Sequence, residues 1–273
     1  MVAGSPMERF MIHATALIDP LAQIDSSVCI GAYALIEGPV KLAAGVVIGA
    51  HAQVMGDTTI GQGTQIGRAV IIGELPQDLS FDPATLSQVI IGTNNVIREQ
   101  CTIHRGSKPG SVTQIGDDNF IMANVHFAHD VQVGNHNAVA NAVLFAGHTH
   151  LGSHCFVGGG AGFHQFIRIG DFSLVQGHSS ISKDVPPYCS VNRLNRMSGL
   201  NVIGLKRQGF TTADRAAIKQ LFHLLFCSGR NLAQALAEAA THAWPEKAAH
   251  LLAFIQSPSK KGVCSVTHRD REE

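Results

Sequence analysis

An aliphatic residue recurs at every sixth position along most of this chain, and this period constrains the fold more than any other feature. Steps of six from Ile12 meet only aliphatic residues as far as Ile72. After a slip of one residue, a second apolar series runs from Ile91 to Ile181, and only Pro109 interrupts it. A period of six fits neither an α-helix nor an alternating strand, and it is typical of a hexapeptide solenoid.

Three hexapeptides, about 18 residues, form one triangular coil of such a solenoid. The aliphatic residue of each hexapeptide points inward and stacks on its counterpart one coil away, at the spacing of paired strands, about 4.8 Å. Glycine follows that residue at many steps, for example at Gly49 and Gly67. A residue without a side chain permits the tight corner. The sequence therefore predicts a parallel β-helix over residues 1–190.

Two irregular segments interrupt the repeat. Residues 74–89 absorb the slip between the two series, and residues 105–113 contain glycines and the proline that breaks the second series. Both segments are expected to leave the solenoid as loops. Loops that a rigid scaffold positions often carry function.

The repeat ends near Pro186 and Pro187, and a small helical domain is predicted over residues 191–258. Thr211 or Thr212 is expected to cap its first helix, and Pro245 precedes its last. The expected helices span residues 213–227, 231–242 and 246–256. The tail over residues 259–273 is polar and charged, and we expect it to be disordered.

Composition narrows the range of functions. The formal net charge is zero, which gives no electrostatic reason to expect a nucleic-acid partner. No apolar run is long enough for a transmembrane helix, and the segment MVAGSPMERFMIHAT lacks the apolar core of a signal peptide. The six cysteines stand singly and far apart. This spacing predicts a reduced, cytoplasmic protein without a cysteine metal site.

Histidines are numerous, with 15 in the chain, and several follow the coil spacing. His129, His148 and His164 are expected near one edge of the solenoid on successive coils, with His126 on the same strand as His129. Imidazoles add little to an aliphatic core and cost desolvation when buried. Three explanations stay open from the residues alone. They are unconnected surface histidines, a zinc site of the kind found in hexapeptide carbonic anhydrases, and a general base with substrate-positioning partners.

The chain resembles the UDP-N-acetylglucosamine acyltransferases, the first enzymes of lipid A synthesis. The resemblance rests on strings that occur in the same order along most of the chain: IGELPQDL, TIHRG, ANVHFAHD, FAGH, GFHQF, DVPPY and NVIGLKRQGF. It implies a left-handed β-helix with a C-terminal helical domain, and a homotrimer with active sites between adjacent solenoids. It also implies transfer of an R-3-hydroxyacyl group from acyl carrier protein to the 3-hydroxyl of the nucleotide sugar, without metal or cofactor.

The resemblance also assigns roles to residues. His129 matches the catalytic base, Asp130 the acidic neighbour that orients it, and Gly147 the backbone N–H donor to the oxyanion. Adjacent strand residues point in opposite directions, so the pairing of His129 with Asp130 requires a corner there. Gly177 matches a position that lines the acyl tunnel. The other matches are substrate contacts: Gln77, Asp78, His104, His126, His148, His164, Gln165, Asn201 and Arg207.

Three positions depart from the family pattern. Ser80 stands where the family carries Lys, Ile203 where it carries an acidic residue, and Gln208 where it carries a second Arg. A 3-amino nucleotide sugar, which would give an amide, is therefore an alternative acceptor. A CoA donor, a non-catalytic trimeric solenoid and a metal-dependent hydratase are also compatible with the sequence.

Overall fold

The computed structural model describes residues 11–266. The chain forms an N-terminal unit, described over residues 11–124 and 128–130, and a C-terminal unit, described over residues 125–127 and 131–266. The segment predicted to lack a signal peptide begins with MVAGSPMERF, and these ten residues lie outside the described residues.

The N-terminal unit consists of short strands in three parallel sheets, with the orders β1-β4-β7-β10-β13, β2-β5-β8-β11-β14 and β3-β6-β9-β12-β15. Each strand pairs with the strand one coil further on, so that Leu17 lies opposite Leu35 and Ile18 opposite Ile36. This is the coil predicted from three hexapeptides. The strands are β1 Leu17–Ile18, β2 Gln23–Ile24, β3 Cys29–Ile30, β4 Leu35–Glu37, β5 Lys41–Leu42, β6 Val47–Ile48, β7 Gln53–Met55, β8 Asp57–Ile60, β9 Gln65–Ile66, β10 Ile71–Glu74, β11 Gln88–Ile91, β12 Val96–Ile97, β13 Thr102–His104, β14 Val112–Ile115 and β15 Phe120–Ile121.

The aliphatic residues of the repeat form the interior of this unit. Ile48, Ile60 and Ile72 are buried to within 1 % of complete burial. Burial of each such side chain contributes about 1.5–3 kcal/mol relative to exposure. Ile12 is 47 % exposed, and among residues 11–266 it pairs with a neighbouring coil on one side only.

Both predicted loops leave the solenoid between strands that stay paired with the neighbouring coil, although the register of β10 on β13 shifts between Ile72 and Glu74. Residues 75–87 connect β10 to β11, and residues 105–111 connect β13 to β14. β10 still pairs with β13, with Ile72 opposite Ile103, although the first loop lies between them in sequence.

The corners use left-handed backbone at residues other than glycine. Tyr33 has φ 58°, His51 φ 60° and Asp130 φ 60°. This conformation costs roughly 1–2 kcal/mol for a residue with a side chain. The parallel pairing on both sides of each corner supplies the energy that holds it.

The C-terminal unit continues the same pattern. Its parallel sheets have the orders β16-β19-β22-β25, β17-β20-β23 and β18-β21-β24-β26. Phe127, Phe145 and Phe163 stack along the interior, with ring centroids 5.0 and 4.8 Å apart. The strands are β16 His126–Phe127, β17 Gln132–Val133, β18 Ala138–Val139, β19 Leu144–Phe145, β20 His150–Leu151, β21 Phe156–Val157, β22 Gly162–Phe163, β23 Arg168–Ile169, β24 Leu174–Val175, β25 Ser180–Ile181, β26 Cys189–Asn192 and β27 Arg196–Leu200.

The solenoid ends in an antiparallel hairpin of β26 and β27, which the sequence did not predict. Four helices follow as far as residue 266: α1 Val202–Arg207, α2 Thr212–Phe226, α3 Leu232–Ala239 and α4 Glu246–Gln256. The last three confirm the predicted helices within a few residues, whereas α1 was not predicted. Thr211 caps α2 through a capping box with Asp214, so the first of the two threonines considered is the cap.

The expected disorder from residue 259 is wrong for the first part of the tail. Val263 bridges to Asp184 and Ser265 bridges to Arg196, and Cys264 between them is 1 % exposed. Backbone pairing and burial of this side chain hold the segment in place. The rest of the predicted tail, residues 267–273, lies outside the described residues. Within residues 11–266, no helix combines the length and the apolar character needed to cross a membrane.

Candidate active site

A histidine and an aspartate at one corner of the N-terminal unit form a buried pair. His129 Nδ1 lies 2.8 Å from Asp130 Oδ2, and the two side chains are each about 9 % exposed. The corner that this pairing requires is present, because Asp130 adopts φ 60°. The expectation that His126 shares a strand with His129 is wrong: His126 lies in β16, which ends at Phe127, and His129 lies in the following turn.

The loop of residues 105–111 supplies further donors to the carboxylate. The Ser107 hydroxyl donates to Asp130 Oδ2 at 2.6 Å, and the Ser107 N–H donates to the same oxygen at 3.1 Å. Burial alone would raise the pKa of Asp130, but hydrogen bonds from His129, Ser107 and Ser111 outweigh it and hold that pKa well below its usual range. Asp130 is therefore a carboxylate at neutral pH.

The ionised carboxylate fixes the tautomer of its partner. An ionised Asp130 can only accept a hydrogen bond from His129 Nδ1. When the His129 ring is neutral, its proton therefore resides on Nδ1 and its lone pair on Nε2. The pair can therefore remove a proton through Nε2 while Asp130 stabilises the imidazolium that forms.

The loop of residues 75–87 carries two of the predicted contacts. Gln77 and Asp78 are exposed. Asp78 accepts from the Ser80 N–H at 2.9 Å and from the Ser80 hydroxyl at 2.8 Å. These bonds lower the pKa of Asp78, and a protonated His129 ring would act in the same direction. The loop thus brings Asp78 within electrostatic range of the candidate base.

His104 has a structural role beside the same loop. It is 4 % exposed, and its Nδ1 lies 2.5 Å from the carbonyl oxygen of Leu75, the first residue of the loop. The contact fixes the point where that loop leaves the solenoid.

Four predicted residues of the C-terminal unit lie at or beside corners. Gly147 is buried, and His148 follows it with φ 58° and stacks on Phe166 with ring centroids 4.6 Å apart. His164 and Gln165 are exposed.

A groove of about 710 Å³ in the C-terminal unit brings two predicted contacts together with two of the departures. Asn201 and Arg207, at the two ends of α1, line it beside Ile203 and Gln208. The Asn201 amide caps α1 through Gly204 N and donates to the Phe172 carbonyl oxygen at 2.9 Å. Its observed contacts therefore hold the helix that ends at Arg207.

The other predicted residues of the C-terminal unit do not line this groove. They are His126, Gly147, His148, His164, Gln165 and Gly177. Gly177 is exposed, and a Cβ atom on it would lie 3.1 Å from the carbonyl oxygen of Gly159.

The aromatic wall of the groove was not predicted from the sequence. His136 stacks on His154 and His154 on Phe172, with ring centroids 4.8 and 4.7 Å apart. Burial lowers the pKa of His154, and the neighbouring His136 lowers it further. The sequence did carry a signal for this wall. Aromatic rings recur at the coil spacing at His136, His154 and Phe172, and each of these residues has a left-handed backbone.

The repeat and the buried His–Asp pair define a transferase of the hexapeptide class, and similarity to known proteins agrees. Residues 113–147 match the bacterial transferase hexapeptide family, and residues 184–264 match the family described as Udp N-acetylglucosamine O-acyltransferase, domain 2. The chain belongs to the UDP-N-acetylglucosamine O-acyltransferase family.

Two curated relatives carry the name acyl-[acyl-carrier-protein]–UDP-N-acetylglucosamine O-acyltransferase. The protein from Paracidovorax citrulli is 54 % identical over 87 % of this chain and 89 % of its own length. The protein from Leptothrix cholodnii is 46 % identical over 82 % of this chain and 86 % of its own length.

Solved structures give the same result. The UDP-N-acetylglucosamine O-acyltransferase from Moraxella catarrhalis is 38 % identical, with a TM-score of 0.88 over 93 % of this chain and 99 % of that one. The UDP-N-acetylglucosamine acyltransferase from Campylobacter jejuni is 34 % identical, with a TM-score of 0.87 over 94 % of this chain and 100 % of that one. The predicted left-handed β-helix with a C-terminal helical domain is confirmed.

Proposed function

We propose that the protein transfers an R-3-hydroxyacyl group from acyl carrier protein to the 3-hydroxyl of UDP-N-acetylglucosamine, the first step of lipid A biosynthesis. The observation that carries this proposal is the buried pair of His129 and Asp130, in which an ionised carboxylate lies 2.8 Å from the imidazole Nδ1. The activity named for relatives that match most of the chain supports the choice of substrates.

His129 is the general base of the reaction. Its Nε2 removes the proton of the sugar hydroxyl as that oxygen bonds to the thioester carbonyl carbon. The Gly147 N–H binds the oxyanion of the tetrahedral intermediate. Collapse of the intermediate breaks the carbon–sulfur bond, and the proton held on Nε2 passes to the departing thiolate. Asp130 keeps the imidazole in the required tautomer throughout.

Further residues of each unit are proposed as substrate contacts. In the N-terminal unit, Gln77 and Asp78 contact the sugar and the acyl 3-hydroxyl, and His104 assists by fixing the start of their loop. In the C-terminal unit, Gly177 leaves room for the acyl chain and Arg207 binds the diphosphate. The remaining acceptor and acyl contacts are His126, His148, His164, Gln165 and Asn201.

The donor is acyl carrier protein, which is acidic, so its docking site requires free basic side chains. Lys206 and Lys219 are exposed and fit this need. Arg168 fits less well, because it pairs with the buried Asp184 at 2.7 Å.

The protein works as a homotrimer in the cytoplasm. Large apolar side chains on the strands remain partly exposed, namely Ile90 and Phe120 in the N-terminal unit and Leu144 and Phe156 in the C-terminal unit. A second copy would cover them. All six cysteines lie in the described part of the chain and none forms a disulfide, which suits a reducing compartment.

A 3-amino nucleotide sugar is the second candidate acceptor. Ile203 lines the groove at 67 % exposure beside Gln208, in place of the charged residues of the family pattern. The same base would serve an amine nucleophile, and the product would be an amide.

The test is turnover of UDP-N-acetylglucosamine with 3-hydroxyacyl-acyl carrier protein, followed by mass spectrometry of the product. We expect an acylated nucleotide sugar that disappears in His129→Ala while the protein remains a trimer by light scattering. Full activity of His129→Ala would refute the mechanism. If the folded trimer acylates the 3-amino nucleotide sugar but not UDP-N-acetylglucosamine, the 3-amino sugar is the acceptor.

A further inference from the structure

Ser107 contacts the carboxylate that orients the candidate base. Its hydroxyl donates to Asp130 Oδ2 at 2.6 Å, whereas His129 Nδ1 lies 2.8 Å from the same oxygen. The Ser107 N–H reaches Oδ2 at 3.1 Å and Oδ1 at 3.3 Å. Two donors from one residue therefore converge on the oxygen that receives the imidazole.

The backbone of Asp130 is held from the same region. Its N–H donates to the Thr113 hydroxyl at 2.8 Å, and Thr113 lies in β14, directly after the loop that carries Ser107. With the backbone fixed, the carboxylate retains rotation about its side-chain bonds. The donors from Ser107, together with the Ser111 hydrogen bond, reach the carboxylate in the orientation in which Oδ2 faces His129.

The loop itself has little freedom to place Ser107 elsewhere. The Lys108 N–H donates to the Ser111 hydroxyl at 2.9 Å, and the Ser111 N–H donates to the Lys108 carbonyl oxygen at 2.9 Å. A Cβ atom on Gly106 would overlap the Ser111 hydroxyl and backbone, so this close turn requires glycine. The loop thus forms a compact support directly beside Asp130.

We propose that Ser107 is a positioning residue for the acyl transfer, acting on His129 through Asp130. The inference rests on the proposed function for its kinetic readout. Ser107 contacts no reacting atom in this scheme. Its hydroxyl completes a chain of hydrogen bonds from the loop to the carboxylate and on to the imidazole, and a hydrogen bond to an ionised acceptor is about twice as strong as a neutral one.

A double-mutant cycle tests this role. Ser107→Ala should lower kcat about tenfold and leave KM for both substrates unchanged, since a misplaced base affects the chemical step more than binding. Ser107→Thr retains the hydroxyl and should restore most of the activity. In an Asp130→Asn background, Ser107→Ala should cause no further loss, because its route to the base is already removed.

Ser27→Ala is the matched control. The Ser27 hydroxyl also donates to an aspartate, Asp25, at 2.6 Å, but at another corner of the N-terminal unit. Its removal should leave kcat unchanged. Unchanged kcat in Ser107→Ala, or an equal loss with and without Asp130, would overturn the proposal.

The tautomer of His129 can be measured by spectroscopy without any substrate, so this test does not depend on which sugar is the acceptor. Nitrogen-15 histidine spectra, assigned with His129→Ala, report which ring nitrogen of His129 carries the proton. We expect the Nδ1–H form in the wild type and in Ser27→Ala, and a loss of that preference in Ser107→Ala. If the wild type acylates neither sugar, the proposed function fails, but the spectrum still tests the role of Ser107. An unchanged His129 tautomer in Ser107→Ala would contradict that role.

Discussion

Gly49 lies so close to Gly67 on the next coil that a Cβ atom added to Gly49 would come within 2.6 Å of the Gly67 carbonyl carbon. Gly49→Ala should therefore force adjacent coils apart and destabilise the fold, with a lower midpoint in urea unfolding. Gly162→Ala is the control, because a Cβ atom there meets no atom within 4 Å and its φ is not left-handed. Equal midpoints for the two variants would contradict this account of coil spacing.

The stacked phenylalanines of the C-terminal unit should dominate its interior packing. Phe145 is fully buried between Phe127 and Phe163. Phe145→Ala removes both ring contacts and should cost about 3–5 kcal/mol of the free energy of unfolding. Phe145→Leu keeps part of the apolar volume and should cost less. Urea unfolding monitored by circular dichroism measures both, and a cost below about 1 kcal/mol for Phe145→Ala would be inconsistent with the stack as a packing element.

A hydrogen-bonded contact between the solenoid and α4 should make stability depend on pH. His250 Nε2 lies 3.0 Å from Asp171 Oδ2, and the Ser153 N–H also donates to Asp171. Burial would raise the pKa of Asp171, but these hydrogen bonds outweigh it, so the folded pKa lies below the ordinary value of 3.8. The carboxylate thus contributes stability that is complete above about pH 5 and is lost as pH falls through the folded pKa.

Asp171→Asn should consequently lower the free energy of unfolding by about 1–2 kcal/mol near pH 6, and the difference from the wild type should shrink below about pH 4. Glu37→Gln, at an exposed carboxyl, serves as the control. Urea titrations at several pH values measure the difference. A constant difference across this range would rule out Asp171 as the source of the dependence.

Arg207 should act in acceptor binding. It is exposed at the end of α1 and lines the groove of the C-terminal unit. Arg207→Ala should raise KM for the nucleotide sugar about tenfold or more with little change in kcat, because a guanidinium that binds phosphate contributes to the ground state and the transition state alike. Arg98→Ala removes an exposed arginine that pairs with Glu99 and should leave KM unchanged. A fall in kcat alone would assign Arg207 another role.

The period of six was sufficient to predict the coils, because each aliphatic residue must meet its counterpart for the interior to exclude water. The hairpin of β26 and β27 could not be predicted in the same way. Its residues do not continue the hexapeptide series, and their antiparallel pairing depends on contacts that no local pattern records. α1 spans only six residues, too few to show a helical period.

The candidate site was predictable only in part. The base and its acidic neighbour carry a recognisable motif, and the corner needed to pair them follows from strand geometry. Ser107 carries no such signal. Its contact with Asp130 depends on where the loop of residues 105–111 returns to the solenoid, and a loop of that length allows many paths.

The side chains at the left-handed corners, which can vary with the substrate, are distinct from the interior side chains that stabilise the fold. In the N-terminal unit Tyr33 stacks on His51, and in the C-terminal unit His154 stacks on Phe172, so rings of different chemistry succeed one another at the same position of the coil. The apolar interior is built by other residues. Selection can therefore exchange a corner side chain without repacking the interior, and a lineage with this scaffold can change its substrate while it inherits its stability intact.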